Sequence, residues 1–536
     1  MVPNLVPASR SATILKLLES LSSVEETVVR DAAVKSLNVC VSHLSSATDV
    51  PGVNLVDMLK RLCDEDWFTG RVSAAGVFKN VYVKAGKEGR EQLRKLYKTL
   101  AEDDAPMVRR SAASNFSDFA SVVESSFQST DMLDIYRHLS LDEQDSVRQL
   151  VVPAAISVAK VVGDCAENMS CLFPIVMNSF KDKSWRVRHS AAKNYSELSN
   201  ALQCGQQDPS KEIIDCYLQL LTDTEAEVRG ASAANVARMA DFVGEDIFVS
   251  TIVPILNDLS KDPVMEVRSK LSAGIMDSTN HDVCAKLSDV VILDNLRPII
   301  EGMLKNDEES DEVKINILSR LPLLSRVLSK MDEIVGVVKS LARYELNWRV
   351  RECVANILPS LAEAYGIETF TAQYLPIYMS LLQDQVADVR SACVRGAYKL
   401  YHVACTDKDG AAWVTKNILG PTKELYDKSP FYLTRVTVLN LYSALCPDDA
   451  TPKQLLEDVV VLLLRALNDP VPNVRFVSAR CLLNVVPFCD DNIINATIKP
   501  QTMAAAEKRD ISKVDEMDED HDLREYLRKL TAVMEA

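Results

Sequence analysis

The chain has little glycine, histidine and tryptophan. Its 536 residues include 16 glycines, 6 histidines and 4 tryptophans. The sequence has no glycine-rich phosphate loop, no HExxH pair and no GxSxG elbow, and the histidines do not have ligand spacing. We therefore expect no catalytic residues, no cofactor, no metal ion and no enzymatic activity.

Long apolar runs and clusters of positive charge are also missing. The longest apolar run, residues 459–464, is far too short to cross a bilayer, and the N-terminus lacks the features of a signal peptide. The formal net charge is −16, without a Lys/Arg run. We expect neither membrane insertion nor nucleic-acid binding.

The 13 cysteines form no CxxC pair. Cys353, Cys393 and Cys481 lie among apolar residues in helical patterns. This is typical of reduced core residues, which predicts a cytoplasmic or nuclear protein.

What the chain does contain is one short unit that recurs along its length. Residues 182–188, DKSWRVR, show it: an acid, a short gap, an apolar residue and a basic residue. Copies about forty residues apart are the signature of a helical repeat array. Aligned on the final basic residue, the copies lie at Arg30, Arg71, Arg109, Arg148, Arg188, Arg229, Arg268, Lys314, Arg351, Arg390, Arg435, Arg475 and Arg524.

An acid stands six residues before that basic residue in all copies except two, where Val24 and Ser429 take its place. The acids are Glu65, Asp103, Asp142, Asp182, Asp223, Asp262, Glu308, Glu345, Asp384, Asp469 and Asp518. Such regularity indicates a structural role. If buried, the acid and the basic residue would pair, either within a repeat or across to the next.

The unit predicts a turn followed by the second helix of a pair. Asp262 and Pro263 are typical of an N-cap and a first helical residue, and Val267, Leu271 and Ile275 form one apolar face. Stacked pairs bury faces that one pair cannot, so we predict an all-α solenoid of about thirteen repeats. Prolines in the first helices should kink or open them: Pro174, Pro254, Pro298, Pro376 and Pro421.

Large aromatic residues concentrate in these turns. Trp67, Trp185 and Trp348 lie there, joined by Phe68, Phe431 and Tyr432. Core positions are on the helices, so aromatic residues at turns indicate anchors for a partner protein. The alternative is that each ring packs on a neighbouring turn. Trp413 lies on a first helix and is expected in the core.

The turns resemble, in order and along the full length, those of the scaffolding A subunit of type 2A serine/threonine protein phosphatase. The matching segments are 23–31, 66–69, 105–114, 142–148, 182–188, 225–229, 348–351 and 469–476. The resemblance implies a horseshoe of HEAT repeats without activity, a monomeric scaffold within a heterotrimer. Residues 1–320 would bind a B-type regulatory subunit, whereas residues 321–536 would bind the catalytic subunit. The family has fifteen repeats, so the first two are expected to be missing.

The resemblance also implies which residues contact each partner. The regulatory subunit would contact Glu25, Glu26, Trp67, Phe68, Asp104, Pro106, Met107, Arg110, Glu143, Asp145, Trp185 and Arg186. The catalytic subunit would contact Trp348, Arg349, Phe431, Tyr432, Val471, Pro472 and Asn473. Ala387 stands where the family tends to have an aromatic residue, and the last turn, around 518–522, is unusually acidic. The alternative function is a karyopherin-like transport adaptor, which is also an acidic helical solenoid but needs peptide pockets on its inner helices.

Overall fold

The fold is described from a computed structural model that covers residues 8–162, 166–203, 211–276, 287–324, 327, 334–343, 345–407, 409–448, 451–507 and 521–535. Within these ranges every regular element is helical, and the helices form antiparallel pairs that stack on one another. The prediction of an all-α solenoid is confirmed. The predicted acid Asp518 lies outside the described residues.

Internal contacts divide the chain into two units, Met1–Ile275 and Met276–Ala536. The predicted boundary between the two partner-binding regions, at residue 320, differs from this division and stays a prediction. In the described part, unit 1 holds seven helix pairs and unit 2 holds six, which we number as repeats 1–7 and 8–13.

In unit 1 each second helix packs on the second helix of the next repeat. The first helices are Ala8–Leu21, Leu55–Cys63, Lys87–Ala101, Ser125–Phe127 continued by Gln128–Met132 and Leu133–Ser140, Ala166–Phe180, Lys211–Leu221, and Glu245–Ile247 continued by Phe248–Ile252 and Val253–Leu259. The second helices are Thr27–Ser42, Phe68–Ala75 with Phe78–Lys84, Pro106–Ala120, Asp145–Val151 with Ala154–Val162, Trp185–Lys193 with Tyr195–Leu202, Ala226–Ala233 with Val236–Val243, and Met265–Ile275.

Unit 2 repeats the arrangement. Its first helices are Asp289–Val291 continued by Ile292–Leu296 and Arg297–Lys305, Ile334–Leu341, Ile367–Gln373 with Leu375–Leu381, Gly410–Val414 continued by Thr415–Leu419 and Gly420–Lys428, Lys453–Ala466, and Asp491–Ile493 continued by Ile494–Ile498 and Lys499–Glu507. Its second helices are Asp311–Leu318 with the 3₁₀ turn Leu321–Leu324, Trp348–Tyr365, Ala387–Asp407, Tyr432–Ala444, Pro472–Val485 with the 3₁₀ turn Val486–Phe488, and His521–Glu535.

The prolines open the first helices locally in most of the predicted places. Pro254, Pro298 and Pro421 each follow a five-residue π-helical stretch by two residues, because proline cannot donate the α-helical hydrogen bond. Pro376 follows a break at Tyr374. At Pro174 the helix is not opened, since Ala166–Phe180 stays α-helical through it.

The helices bury the apolar faces that the sequence predicts. Val267, Leu271 and Ile275 are buried, and the indole of Trp413 is buried and donates to Thr371 Oγ1 at 3.0 Å. Cys393 and Cys481 lie in the core, and burial raises the pKa of the Cys481 thiol to about 11. That thiol stays protonated at neutral pH, in keeping with a packing role.

One detail of the prediction is wrong. Asp262 is not the N-cap of its helix, which begins at Met265. Its Oδ1 instead accepts the backbone N–H of Val264 at 2.9 Å and closes the turn before the helix. Asp182 does the same, three residues before the helix that begins at Trp185.

Candidate functional site at the intra-repeat turns

A row of buried arginine–aspartate pairs holds the turns in place. In each pair Nε and Nη2 of the arginine face the two carboxylate oxygens of the acid one repeat later, as in Arg109–Asp142, where the Nε–Oδ2 distance is 2.6 Å. The pairs are Arg71–Asp103, Arg109–Asp142, Arg148–Asp182, Arg188–Asp223, Arg229–Asp262, Arg351–Asp384 and Arg435–Asp469. We call this row the ladder.

The same arginine also fixes its own turn. Nη1 of Arg109 donates to the carbonyl oxygens of Asp103 at 2.8 Å and Asp104 at 3.2 Å. Arg148 and Arg229 do the same with their own turns. Each arginine therefore links the backbone of one turn to the side chain of the next, so the predicted pairing runs across repeats.

Pairing in the ladder shifts the pKa values of several of its members. Burial alone would raise the pKa of Asp223, but hydrogen bonds from Arg188 and from the backbone N–H of Glu225 outweigh it, so the pKa lies below its usual range. Asp384 behaves in the same way with Arg351 and Val386. A hydrogen bond to Asp142 raises the pKa of the Arg109 guanidinium. The carboxylates of Asp223 and Asp384 are therefore ionised at neutral pH.

The residues between the acid and the basic residue of each repeat form what we call the turn edge. Trp67 is the N-cap of its helix and is 60% exposed, with its ring 5.3 Å from that of Phe68. Phe431, also an N-cap, is 72% exposed and Tyr432 follows it. The aromatic side chains of repeats 2 and 11 therefore face solvent.

The other two tryptophans are half-buried and share one arrangement. Trp185 and Trp348 are each the first residue of their helix. The guanidinium of Arg186 lies 5.0 Å from the Trp185 ring centroid, and that of Arg349 lies 5.3 Å from the Trp348 ring centroid. The alternative of rings packed on neighbouring turns does not hold for the exposed Trp67 and Phe431.

The remaining predicted contact residues also lie on the turn edge, except Arg110, which directly follows the basic residue Arg109. Exposed ones are Glu25, Glu26, Asp104, Pro106, Met107, Arg110, Glu143 and Asn473; Phe68, Asp145, Val471 and Pro472 are half-buried. The structure brings some together across repeats. Ser184 Oγ donates to Asp145 Oδ2 at 2.8 Å, and Arg186 Nη1 lies 3.7 Å from the same oxygen. Ala387 is exposed and leaves its turn without a large side chain.

The sequence reasoning missed several exposed apolar side chains on or beside the edge, among them Val264, Met265 and Leu141. Val264 and Met265 occupy the positions that Phe431 and Tyr432 hold in their own turn, and Leu141 precedes the acid of its turn. Alignment on the basic residue contains the signal for Met265, because it stands three residues before Arg268 as Trp185 does before Arg188. Met265 was not predicted because it is not aromatic.

Comparisons with known proteins agree with this geometry. A family model described as PPP2R1A-like HEAT repeat matches residues 206–283, and the HEAT repeat model matches 172–202 and 459–489. A probable phosphatase PP2A regulatory subunit of Caenorhabditis elegans is 41% identical over 162 residues, covering 30% of this chain and 27% of that protein. The regulatory A subunit of protein phosphatase PP2A from Schizosaccharomyces pombe is 36% identical over 191 residues, 35% of this chain and 32% of that protein. The beta isoform of the human 65 kDa regulatory A subunit of phosphatase 2A is 32% identical over 319 residues, 59% of this chain and 51% of that protein.

The chain resembles the A regulatory subunits of protein phosphatase 2A. These matches span from about a quarter to a half of those relatives' length. The relatives are named as regulatory subunits rather than catalytic ones, which supports the prediction that the chain is not an enzyme.

Solved structures show the same architecture at low sequence identity. Yeast importin-beta superposes with a TM-score of 0.64 at 14% identity over 98% of this chain and 68% of that one. The karyopherin Kap121p gives a TM-score of 0.57 at 13% identity, over 99% of this chain and 57% of that one. At this identity the likeness concerns the solenoid fold alone. Among the described helices, none is long and apolar enough to cross a membrane.

Proposed function

We propose that the chain is a non-catalytic scaffold that assembles a protein phosphatase 2A holoenzyme. Its repeats in residues 321–536 bind the catalytic subunit, and those in residues 1–320 bind one variable B-type regulatory subunit. The observation that carries the proposal is the turn edge. It presents Trp67, Phe431 and Tyr432 to solvent at matching positions, on turns fixed by buried ion pairs.

The physical mechanism is tethering. Two partners bound to one chain meet at an effective concentration set by the frame between them, which for short connections reaches about the millimolar range. A rigid turn with a large exposed ring binds with little loss of conformational entropy, since its backbone is already ordered. The ladder supplies that rigidity, because Arg351 fixes its own turn and the next at once.

The resemblance supports this function over the karyopherin-like alternative. Sequence identity to the human beta isoform of the A regulatory subunit is 32% over 319 residues, whereas yeast importin-beta shares 14%. The likeness to importin-beta concerns the fold, and nothing on the turn edge favours a transport adaptor.

Capture of purified phosphatase 2A subunits on the immobilised full chain tests the proposal. We expect Trp348→Ala to weaken capture of the catalytic subunit by about 10- to 30-fold, as loss of an interface hot spot of roughly 1.5–2 kcal/mol does. Capture of the isolated regulatory subunit should be unchanged. Trp185→Ala should produce the opposite pattern.

Val461→Ala is the matched control, because Val461 is an exposed apolar residue on a first helix away from the edge. It should bind both subunits like the parent chain. Unchanged capture by Trp348→Ala and Trp185→Ala would overturn the assignment of the edge, and absence of any capture by the parent chain would overturn the function.

A further inference from the structure

A groove with unusual electrostatics lies on the second helices of unit 2 and reaches the turn edge at Ala387 and Leu433. Its volume is about 1010 Å³, and three helices line it, Ala387–Asp407, Tyr432–Ala444 and Pro472–Val485. Arg390, Arg395 and Arg480 are among its lining residues, and no Asp or Glu is. In a chain of net charge −16, this is a local site for negative charge.

Arg390 faces the groove because the ladder is interrupted there. Ser429 stands where the acid should be. It keeps the turn-closing role, since its Oγ accepts the N–H of Phe431 at 3.2 Å, but it has no carboxylate for Arg390. The Nε of Arg390 donates instead to Thr437 Oγ1 at 3.0 Å.

The charge of Arg390 is therefore buried without an ion pair of its own, since the nearby carboxylate of Asp384 already pairs with Arg351. The residue is 9% exposed, and no carboxylate lies within 4.0 Å of its guanidinium among the residues that the structure describes. Its other partners are the carbonyl oxygens of Asp384 and Gln385. A buried cation whose hydrogen-bond partners are all neutral favours a further anion nearby.

A second feature is a row of alternating amides and guanidiniums, of which Arg395, Asn440 and Arg480 line the groove. Five residues after the basic residue of repeats 9–12 stand Asn356, Arg395, Asn440 and Arg480. Arg480 Nη2 donates to Asn440 Oδ1 at 2.8 Å, and Arg395 Nη2 donates to Asn356 Oδ1 at 3.4 Å.

These contacts hold the two guanidiniums in place without neutralising Arg480. Arg395 lies 3.6 Å from Glu352, which offsets part of its charge. Arg480 has no carboxylate within 4.0 Å in the described ranges. Guanidiniums fixed in this way bind carboxylates through two parallel hydrogen bonds.

The groove also has an apolar side. Val394, Leu433, Val436, Leu483 and Phe488 line it, and Leu433 is 43% exposed. Carboxylate-binding groups beside an open apolar surface fit a polypeptide better than a small free anion. A small anion would leave the apolar surface exposed to water.

We propose that this groove binds an acidic, extended peptide segment of a partner protein. Carboxylates of the segment pair with Arg395 and Arg480, and an apolar side chain between them packs on Leu433. The two arginines lie on helices two steps apart in the stack. At about 9 Å per step and 3.3 Å per extended residue, the paired carboxylates stand roughly five or six residues apart.

Fluorescence anisotropy with the full chain and a synthetic probe tests the proposal. The probe is a fluorescein-labelled ten-residue peptide with two glutamate pairs six residues apart and leucines between them. We expect saturable binding that weakens as salt rises. The double variant Arg395→Glu plus Arg480→Glu should weaken it by at least about 10-fold, because attraction becomes repulsion.

Two further variants sharpen the result. Lys423→Glu plus Lys428→Glu makes the same change in net charge on exposed residues of a first helix, and it should leave the affinity within about twofold. Ser429→Asp would give Arg390 an internal carboxylate, and we expect it to weaken the peptide by a few-fold while the chain stays folded by circular dichroism.

Four outcomes would overturn the proposal: no saturable binding, equal loss in both double variants, equal binding of a lysine-containing probe, or displacement of the probe by inorganic phosphate at constant ionic strength. The last would make the occupant a free phosphate. The proposal does not depend on the proposed function, and the test uses no phosphatase component, so its failure leaves that function untouched.

Discussion

The two units use the same repeat differently. In unit 1 the ladder runs without interruption from Arg71 to Asp262 through five consecutive pairs. In unit 2 two pairs are described, Arg351–Asp384 and Arg435–Asp469. Between these two pairs Ser429 replaces the acid, and Arg390 donates a hydrogen bond to Thr437 Oγ1 instead.

The turn edges differ as well. The predicted contact residues of unit 1 include several charged side chains, such as Glu25, Asp104, Glu143 and Arg186, whereas those of unit 2 are mostly aromatic or apolar. A charged edge favours selective and salt-dependent binding, and an apolar edge favours tight, constitutive binding. This difference suits one variable partner and one permanent partner, as the proposed function requires.

Removal of one member of an uninterrupted ladder pair should have the largest effect. We expect Asp142→Ala to destabilise the surrounding repeats by about 3–5 kcal/mol, because Arg109 is left buried without its carboxylate. Hydrogen exchange of the helix Pro106–Ala120 measures the loss locally.

Asp134→Ala is the matched control, since Asp134 also pairs with a cation of the preceding repeat, Lys98, but is exposed. It should cost less than about 1 kcal/mol. Similar losses in the two variants would show that burial does not set the strength of the ladder.

Repair of the interruption in unit 2 should have a smaller effect of opposite sign. We expect Ser429→Asp to stabilise repeats 10 and 11 by about 1–2 kcal/mol, because Arg390 gains a charge-assisted hydrogen bond. Ser429→Asn keeps the turn-closing side chain without charge and should gain little. Slower hydrogen exchange in the helix Ala387–Asp407 would report the gain, and faster exchange would contradict it.

Acid should weaken both units through the ladder. The pKa values of Asp223 and Asp384 are lowered on folding, so their stabilisation is fully present above the ordinary aspartate pKa of about 3.9. It is lost as pH falls through their lower folded values. These pairs should therefore leave the midpoint of urea unfolding almost unchanged between pH 7 and pH 4.5. A midpoint that fell steeply in that range would contradict the assignment.

The smallest expected effect concerns the missed edge residue. Met265→Ala should weaken regulatory-subunit capture by about two- to threefold, since a single exposed methionine contributes less than a hot-spot tryptophan. Met503→Ala, an exposed methionine on a first helix, is its control. Equal effects of the two variants would show that Met265 does not contribute to binding of the regulatory subunit.

The fold was predictable because its signal repeats. An acid and a basic residue six apart, recurring about every forty residues, predict stacked helix pairs without knowledge of any single contact. The direction of the pairing was not predictable, because both partners occur in every repeat and only the offset between stacked turns brings Arg148 to Asp182 rather than Asp142. Asp262 was predicted as an N-cap because an Asp followed by Pro is typical of a helix start, whereas its side chain closes the turn before the helix.

The candidate site was predictable in part. Large rings placed between the acid and the basic residue indicate the turn edge, and Trp67, Trp185 and Trp348 all lie there. The groove of unit 2 was not, because Arg390 and Arg395 share one helix while Arg480 lies two repeats later, and these side chains line one groove only through stacking. The sequence shows the missing acid at Ser429 but not which surface the arginine then faces.

A photo-crosslinking amino acid placed at single positions of the full chain tests the central claim most directly. With both purified phosphatase 2A partners present, position 348 should crosslink to the catalytic subunit, position 185 to the regulatory subunit, and the exposed first-helix position 461 to neither. Crosslinking from 461 as strong as from 348, or none from 348 and 185, would contradict a turn edge that binds partner proteins.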